Sequence, residues 1–187
     1  MQSRIQTLLE QIVGPDMVST DPHTLECYAC DATVNPPAQP DYVVLATTVE
    51  QIQAILQLAS PEKIPVVPAV GMSSTGGLTI PVRGGILLDL HLMNRILEIN
   101  EDVGYAVVEP GVTIGQIDAE LKQRGYWVQV PAGPPGSAGL LPGYILHGYG
   151  HLGAKFGINS EQITGMEVVL PSGEVTRLGA CAVSPYW

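Results

Sequence analysis

The chain is poor in positive charge. Eight Lys and Arg stand against 18 Asp and Glu, a formal net charge of −10. Nucleic-acid surfaces need clustered cations to displace counterions, and docking on anionic lipid needs them too. The balance argues against both partners. Only 14% of residues are charged while 45% are apolar, which argues against intrinsic disorder. There is one Phe, so a core must be built from Val, Ile and Leu. Three cysteines, an odd number, do not suggest a disulfide framework. No apolar run of about 18 residues exists to cross a membrane. The start, Met1-Gln2-Ser3-Arg4-Ile5, lacks the apolar block of a signal peptide. A cytoplasmic protein is the expectation.

What is abundant is glycine (21) and proline (16) in 187 residues, a composition of many short strands and turns. Ile5, Leu8, Leu9, Ile12 and Val13 recur at helical spacing, and Gly14-Pro15 stops that helix. Residues 15–40 read as an extended linker. A strand at Tyr42–Ala46 follows, then a helix opened by Thr48 with Gln51 in a capping box. Ile64–Val67 is a strand that Pro65 makes short or confines to an edge. Strands are predicted at 86–90, 95–99 and 105–109, the last two as a hairpin. Thr113 and Gln116 form a second capping box, with Gly125 ending the helix. A final hairpin pairs 166–170 with 174–177. The class is α+β, small mixed β-sheets flanked by helices. Residues 1–40 form an N-terminal helix and linker, and 41–187 one domain. The terminal Ala180–Trp187 ends on a bulky apolar residue, as a chain cut from a longer protein would.

Two loops carry the chemistry. Pro68-Ala69-Val70-Gly71-Met72-Ser73-Ser74-Thr75-Gly76-Gly77 follows an apolar strand. Small residues let backbone N–H groups approach a ligand and form an anion-binding concavity, to which three hydroxyls add donors. A phosphate or pyrophosphate fits, and so does an ordinary surface loop. A P-loop is disfavoured, because Gly76 is followed by Gly77 and Leu78 instead of Lys. A dinucleotide fingerprint fails as well, because no helical pattern opens after Gly77. The second loop, Pro131 to Gly139, has the same character. Together the two could clamp one extended polyanionic cofactor.

The sequence resembles the FAD-binding domain of the vanillyl-alcohol oxidase and p-cresol methylhydroxylase family, the FAD-linked oxidases. The first loop with Gly84-Gly85-Ile86-Leu87-Leu88-Asp89-Leu90-His91-Leu92-Met93-Asn94-Arg95-Ile96-Leu97 is similar to the family's loop, strand and M-N-x-I segment. Val108-Glu109-Pro110-Gly111-Val112-Thr113 matches its V-x-P-G-V-T. Residues Ile163 to Glu174 match its closing strand and turn. Order and spacing agree from residue 40 to residue 179. The resemblance implies FAD in an elongated pose. It assigns backbone contacts with the pyrophosphate to Gly71, Met72, Ser73, Ser74 and Gly77. It assigns the flavin and ribityl side to Pro131, Gly136, Ser137 and Gly139. Gly148, Tyr149, Gly150 and His151 approach from the other side, and Ile163 meets the adenine. Tyr28 and Asp31 fit an N-terminal Y-x-x-D, read as structural.

There are departures. Where the family commonly has R-G-G-G, this chain has Ala69-Val70-Gly71-Met72, without the arginine. No histidine stands in the first loop for a covalent flavin tether. His147 and His151, four apart, have three readings: a metal pair lacking a third ligand, a covalent flavin site, or hydrogen-bonded structural residues. No metal site is expected. Cys27-Tyr28-Ala29-Cys30 lacks a second pair for zinc, and its reading is two buried thiols. His23 and His91 have no evident partner in the sequence.

The implied function is the FAD-binding portion of a flavin-dependent oxidoreductase, an oxidase or dehydrogenase. It would take a hydride from an alcohol, hydroxy acid or phenolic small-molecule substrate to flavin N5. The alternative is a non-catalytic FAD-binding subunit that passes electrons to a redox partner or is completed by another chain. The catalytic residues and the substrate-capping domain of the family are expected beyond Trp187.

Overall fold

Ser3 opens the first helix by accepting the N–H of Gln6 on its hydroxyl. Helix α1 then runs Arg4–Val13, until Gly14 at φ 96° ends it. The computed structural model describes residues 3–131, 133, 135–146 and 149–179. The chain divides into two compact units. One holds residues up to Leu92 with Val169–Thr176, the other Met93–Val168 with the chain from Arg177.

The first unit is organised on a four-stranded sheet of β1 (Val18–Ser19), β2 (Tyr42–Leu45), β3 (Val66–Ala69) and β4 (Ile86–Asp89). The order is β1-β2-β4-β3. β4 pairs in parallel with both β2 and β3, while β1 is antiparallel to β2. A strand flanked on both sides and covered on both faces must be continuously apolar. Ile86, Leu87 and Leu88 are so, and all four residues of β4 are buried. β3 takes the edge, as its prolines require. Leu9, Val43, Val44, Ile55, Ile86 and Leu87 are fully buried, each worth about 1.5–3 kcal/mol of transfer free energy.

Helix α3 (Val49–Ala59) begins at Thr48, which accepts the Gln51 N–H. The capping box is displaced by one residue, since the Gln51 carbonyl takes the N–H and hydroxyl of Thr47. The linker expected at 15–40 is not all extended. It contains a 3-10 turn at Pro15–Met17, strand β1, and helix α2 at Pro22–Cys27. Asp21 caps α2 by accepting the Thr24 N–H, and Pro22 occupies the first turn where no donor is needed.

The second unit holds the antiparallel hairpin β5 (Ile96–Asn100) and β6 (Tyr105–Val108), with a register shift between Ile96 and Glu98. Helix α4 (Ile114–Gln123) follows with the predicted capping box. Thr113 accepts the Gln116 N–H, and the Gln116 carbonyl accepts that of Thr113. Its core is Val112, Ile114, Ile117, Leu121, Ala138, Leu140 and Tyr144. Two short helices, α5 (Leu140–Ile145) and α6 (Gly153–Phe156), occupy ground where no helical pattern was read. The last hairpin joins β7 (Gly165–Val169) to β8 (Val175–Gly179). Its tip is bonded within the first unit, where the Gln53 amide donates to the Gly173 carbonyl at 2.7 Å.

Candidate functional site

The three parallel strands end together, because the register sets both Leu45 and Ala69 beside Asp89. Open α/β sheets bind ligands outside such carboxyl ends. The first loop leaves from this edge, directly after β3. It carries Gly71, Met72, Ser73, Ser74 and Gly77 in one run. Met72 stands at φ 48°, a left-handed conformation that side chains disfavour. Gly77 is at φ 73°, and a Cβ there would lie 2.3 Å from the Asn35 amide nitrogen. The loop is braced by the segment before β2. Ala32 N–H donates to the Ser74 carbonyl at 2.9 Å, and the Thr79 hydroxyl to Asp31 at 3.2 Å. The Ser74 hydroxyl is turned inward to accept the Gly76 N–H.

At the same edge Asp89, 3% exposed, gathers three donors. The Tyr28 hydroxyl reaches Oδ2 at 2.6 Å, the His91 N–H reaches Oδ1 at 2.9 Å, and His91 Nδ1 lies 2.8 Å from Oδ2. His91 therefore has a partner, contrary to its reading as unpaired. Burial pushes the Tyr28 phenol well above its usual range, and the hydrogen bond and charge of Asp89 add to this. A carboxylate closing an apolar strand was the signal for this cluster, since buried charges are seldom left unpaired.

In the second unit the second loop forms an antiparallel bridge with the start of α4. Gly115 N–H donates to the Gly136 carbonyl at 2.8 Å, Ile114 N–H to Ala138 at 2.9 Å, and Gly139 bridges Thr113. Ser137 is exposed. Pro131 packs on Gly143, where a Cβ would lie 2.6 Å from the ring. Gly150 meets the loop's start, with space for a Cβ blocked by Gln129 and the Val130 carbonyl at 2.8–2.9 Å. Tyr149 and His151 are exposed, and Ile163 packs on the core of this unit. Gly148 and His147 lie outside the described residues.

Behind the second loop is a buried polar network that the sequence reading missed. Gln129, 7% exposed, donates from Nε2 to the Gly157 carbonyl (3.0 Å) and to Asn159 Oδ1 (3.2 Å). Its backbone carbonyl accepts from the Tyr144 hydroxyl and from Asn159 Nδ2. Gln129 Oε1 is buried without a hydrogen-bond partner among the described residues. Burial raises the Tyr144 phenol to about 12.

Cys27, the last residue of α2, and Cys30 in the turn after it are exposed free thiols, not buried ones. Among the described residues no group of three or more His, Cys, Asp or Glu could hold a metal ion. A cavity of about 380 Å³ is lined by Ile96, Leu97, Glu98, Ile99, Glu120 and Arg124. Another of about 320 Å³ is lined by Glu26, Ala29, Cys30, Pro37 and Gln39. Neither includes a predicted site residue. No helix among the described residues is long and apolar enough to cross a membrane.

Residues 40–179 match the family model described as FAD binding domain. The chain is 36% identical over 143 residues to the 4-cresol dehydrogenase [hydroxylating] flavoprotein subunit of Pseudomonas putida, covering 75% of this chain and 27% of that one. It is 30% identical over 180 residues to a glycolate oxidase subunit of Bacillus subtilis, covering 94% and 37%. The fold superposes on p-cresol methylhydroxylase with TM-score 0.83 at 31% identity, over 97% of this chain and 36% of that one. The likeness to 4-ethylphenol oxidase from Gulosibacter chungangensis has TM-score 0.84 at 28% identity, covering 97% and 35%. The chain thus spans between about a quarter and little more than a third of these relatives. By its family match and its fold, it belongs to the FAD-binding domain family of flavin-dependent oxidoreductases, with small mixed sheets of the p-cresol methylhydroxylase type and FAD as cofactor.

Proposed function

We propose that the chain is the FAD-holding portion of an oxidoreductase acting on an alcohol, hydroxy acid or phenolic carbon. The observation that carries this is the family match across residues 40–179. Relatives named for glycolate and 4-cresol support the hydroxy-acid and phenolic classes. The chemistry supplied with FAD bound is two-electron acceptance, a hydride passing from the substrate carbon to flavin N5.

The residues present fit such a group. Gly71, Met72, Ser73, Ser74 and Gly77 offer backbone N–H groups to a diphosphate, at the sheet edge where ligands of this architecture collect. The family resemblance assigns the remainder to Pro131, Gly136, Ser137, Gly139, Gly148, Tyr149, Gly150, His151 and Ile163, of which Gly148 lies outside the described residues. The partnerless Gln129 Oε1 is a buried acceptor that a bound donor would satisfy. The chain's own tasks are then to bind, to orient and to exclude water.

Two relatives are named as subunits, which favours a second reading. Here the chain is a non-catalytic FAD-binding subunit, completed by a redox partner or another chain. One experiment separates the outcomes. The purified chain is titrated with FAD, followed by flavin fluorescence and by the thermal unfolding midpoint, then assayed with alcohols, hydroxy acids and phenols and an artificial electron acceptor. Saturable binding with a raised midpoint supports the cofactor role. Turnover by the isolated chain rejects the subunit reading. Failure to bind FAD overturns both.

A further inference from the structure

A protein of net charge −10 that takes up a diphosphate has an electrostatic problem, and the first unit has few cations to solve it. Its Lys and Arg residues are Arg4, Lys63 and Arg83. Lys63 and Arg83 each come three residues before a parallel strand, β3 and β4, and so stand at the amino edge of the sheet. Arg4 is bonded at 3.0 Å to Glu62, in the same turn before β3. None of the three follows the carboxyl end of a strand.

His91 does. The Leu90 N–H donates to the Ala69 carbonyl at 2.9 Å, so the pairing of β3 and β4 persists to the residue where the first loop departs. His91 leaves β4 beside that point, at the interstrand spacing of about 5 Å. Its ring is held in a defined orientation. Nδ1 lies on Asp89 Oδ2, and the backbone N–H of the same residue lies on Oδ1. The Tyr28 hydroxyl donates to the same Oδ2 and helps hold the carboxylate. The opposite ring nitrogen, Nε2, is left for a ligand, and the side chain is 43% exposed. A histidine whose inner nitrogen is fixed by a carboxylate has its outer nitrogen positioned, an acceptor in the neutral ring and a donor once the ring is protonated.

We propose that His91 is the cationic anchor for the FAD diphosphate at the mouth of the first loop. Nδ1–H stays on Asp89 and Nε2–H donates to a phosphate oxygen. In that complex both ring nitrogens carry a proton, the one on Nε2 drawn from solvent as FAD binds. The proposal rests on the reading that the first loop holds the diphosphate. The ionisable side chains bonded into the cluster are Asp89 from β4 and Tyr28 from the turn after α2. Cys27 acts on Tyr28 electrostatically.

The test is calorimetric titration of FAD into the full chain, in two non-phosphate buffers of different ionisation enthalpy. Wild type should bind with a heat that depends on the buffer, reporting proton uptake. His91→Gln should bind at least about tenfold more weakly, the weight of one charge-assisted hydrogen bond, and without uptake. His91→Arg, charged beforehand, should regain affinity but show no uptake. Buffer-independent heat in wild type overturns the proposal, and needs no variant to fold. So does uptake that persists in His91→Gln, or equal affinity in that variant. Wild type that binds no FAD overturns instead the cofactor reading beneath it.

Discussion

Tyr28 and Asp89 stand 61 residues apart, and the Tyr28 hydroxyl donates to Asp89 Oδ2 at 2.6 Å. The bond ties the turn after α2 to the end of the central strand. It also helps explain how a carboxylate can be buried there, because its oxygens are occupied by donors. Tyr28→Phe should lower the unfolding free energy by about 1–2 kcal/mol, the weight of one hydrogen bond to a charged group that keeps its other donors. Urea denaturation checks this. The phenol of Tyr28 is raised in the folded state, by burial first and then by Asp89. Its contribution is therefore complete below about pH 10, the ordinary tyrosine value, and is lost as pH rises beyond it. The variant should show a shallower alkaline loss of stability than wild type.

Met72 and Gly77 make opposite demands within one loop. Both have positive φ, but only Gly77 is the residue type that adopts it freely. Met72→Gly should leave stability unchanged or raise it by up to about 1 kcal/mol, the left-handed strain removed less the extra entropy of glycine. Gly77→Ala meets both an unfavourable φ and the Asn35 amide at 2.3 Å. It should cost about 1–3 kcal/mol. A loss in Met72→Gly equal to that in Gly77→Ala would show that this account of the loop is wrong.

The strands after β1 and the long helices were legible because their signals are local. Thr113 and Gln116 announce α4, and Ile86-Leu87-Leu88 announces a buried parallel strand. Helix α2 was also legible and was overlooked, since Asp21-Pro22 is a capping residue followed by proline. Helix α5 was not, because Leu-Leu-Pro-Gly at its start offers neither a cap nor a helical period. The two polar clusters were least visible. Gln129 and Asn159 meet across 30 residues, and Tyr28 and Asp89 across 61, so only the fold brings them together. Glycine-rich loops show in a sequence which backbones can approach a ligand. They do not show which side chains stand behind.

In the second unit, Arg95 surrounds Glu109. Its N–H and its guanidinium reach both carboxylate oxygens at 2.7–3.0 Å. Burial alone would raise the Glu109 carboxyl, but the contacts from Arg95 outweigh it and leave the group below its ordinary value. A lowered folded value means stability that is present above the unfolded carboxylate range, about pH 4.3, and lost as pH falls through the folded value. Arg95→Ala should reduce stability at neutral pH and flatten the acid limb below about pH 4.3. Glu109→Gln should flatten the limb too. Unfolding midpoints between pH 3 and 7 would check both, and an acid limb unchanged in Arg95→Ala would refute the assignment.

Gln129 gives the prediction that reaches furthest into the site. Its Nε2 supplies the Gly157 carbonyl and Asn159 Oδ1, so Gln129→Leu leaves one half-buried and one buried acceptor short of a donor. The loss should be about 2–4 kcal/mol by the penalty for unpaired buried polar groups. Tyr144 adds a control. Its hydroxyl bonds to the backbone carbonyl of Gln129, which the leucine keeps, and the phenol is raised by burial, so it should stay raised in the variant. The unpartnered Oε1 adds a second consequence. If bound FAD, or a donor ordered by it, completes that acceptor, FAD should raise the unfolding midpoint of wild type more than that of Gln129→Leu. Thermal unfolding with and without saturating FAD reads both parts. Equal shifts in the two proteins would confine Gln129 to holding the loop, with no part in receiving the cofactor.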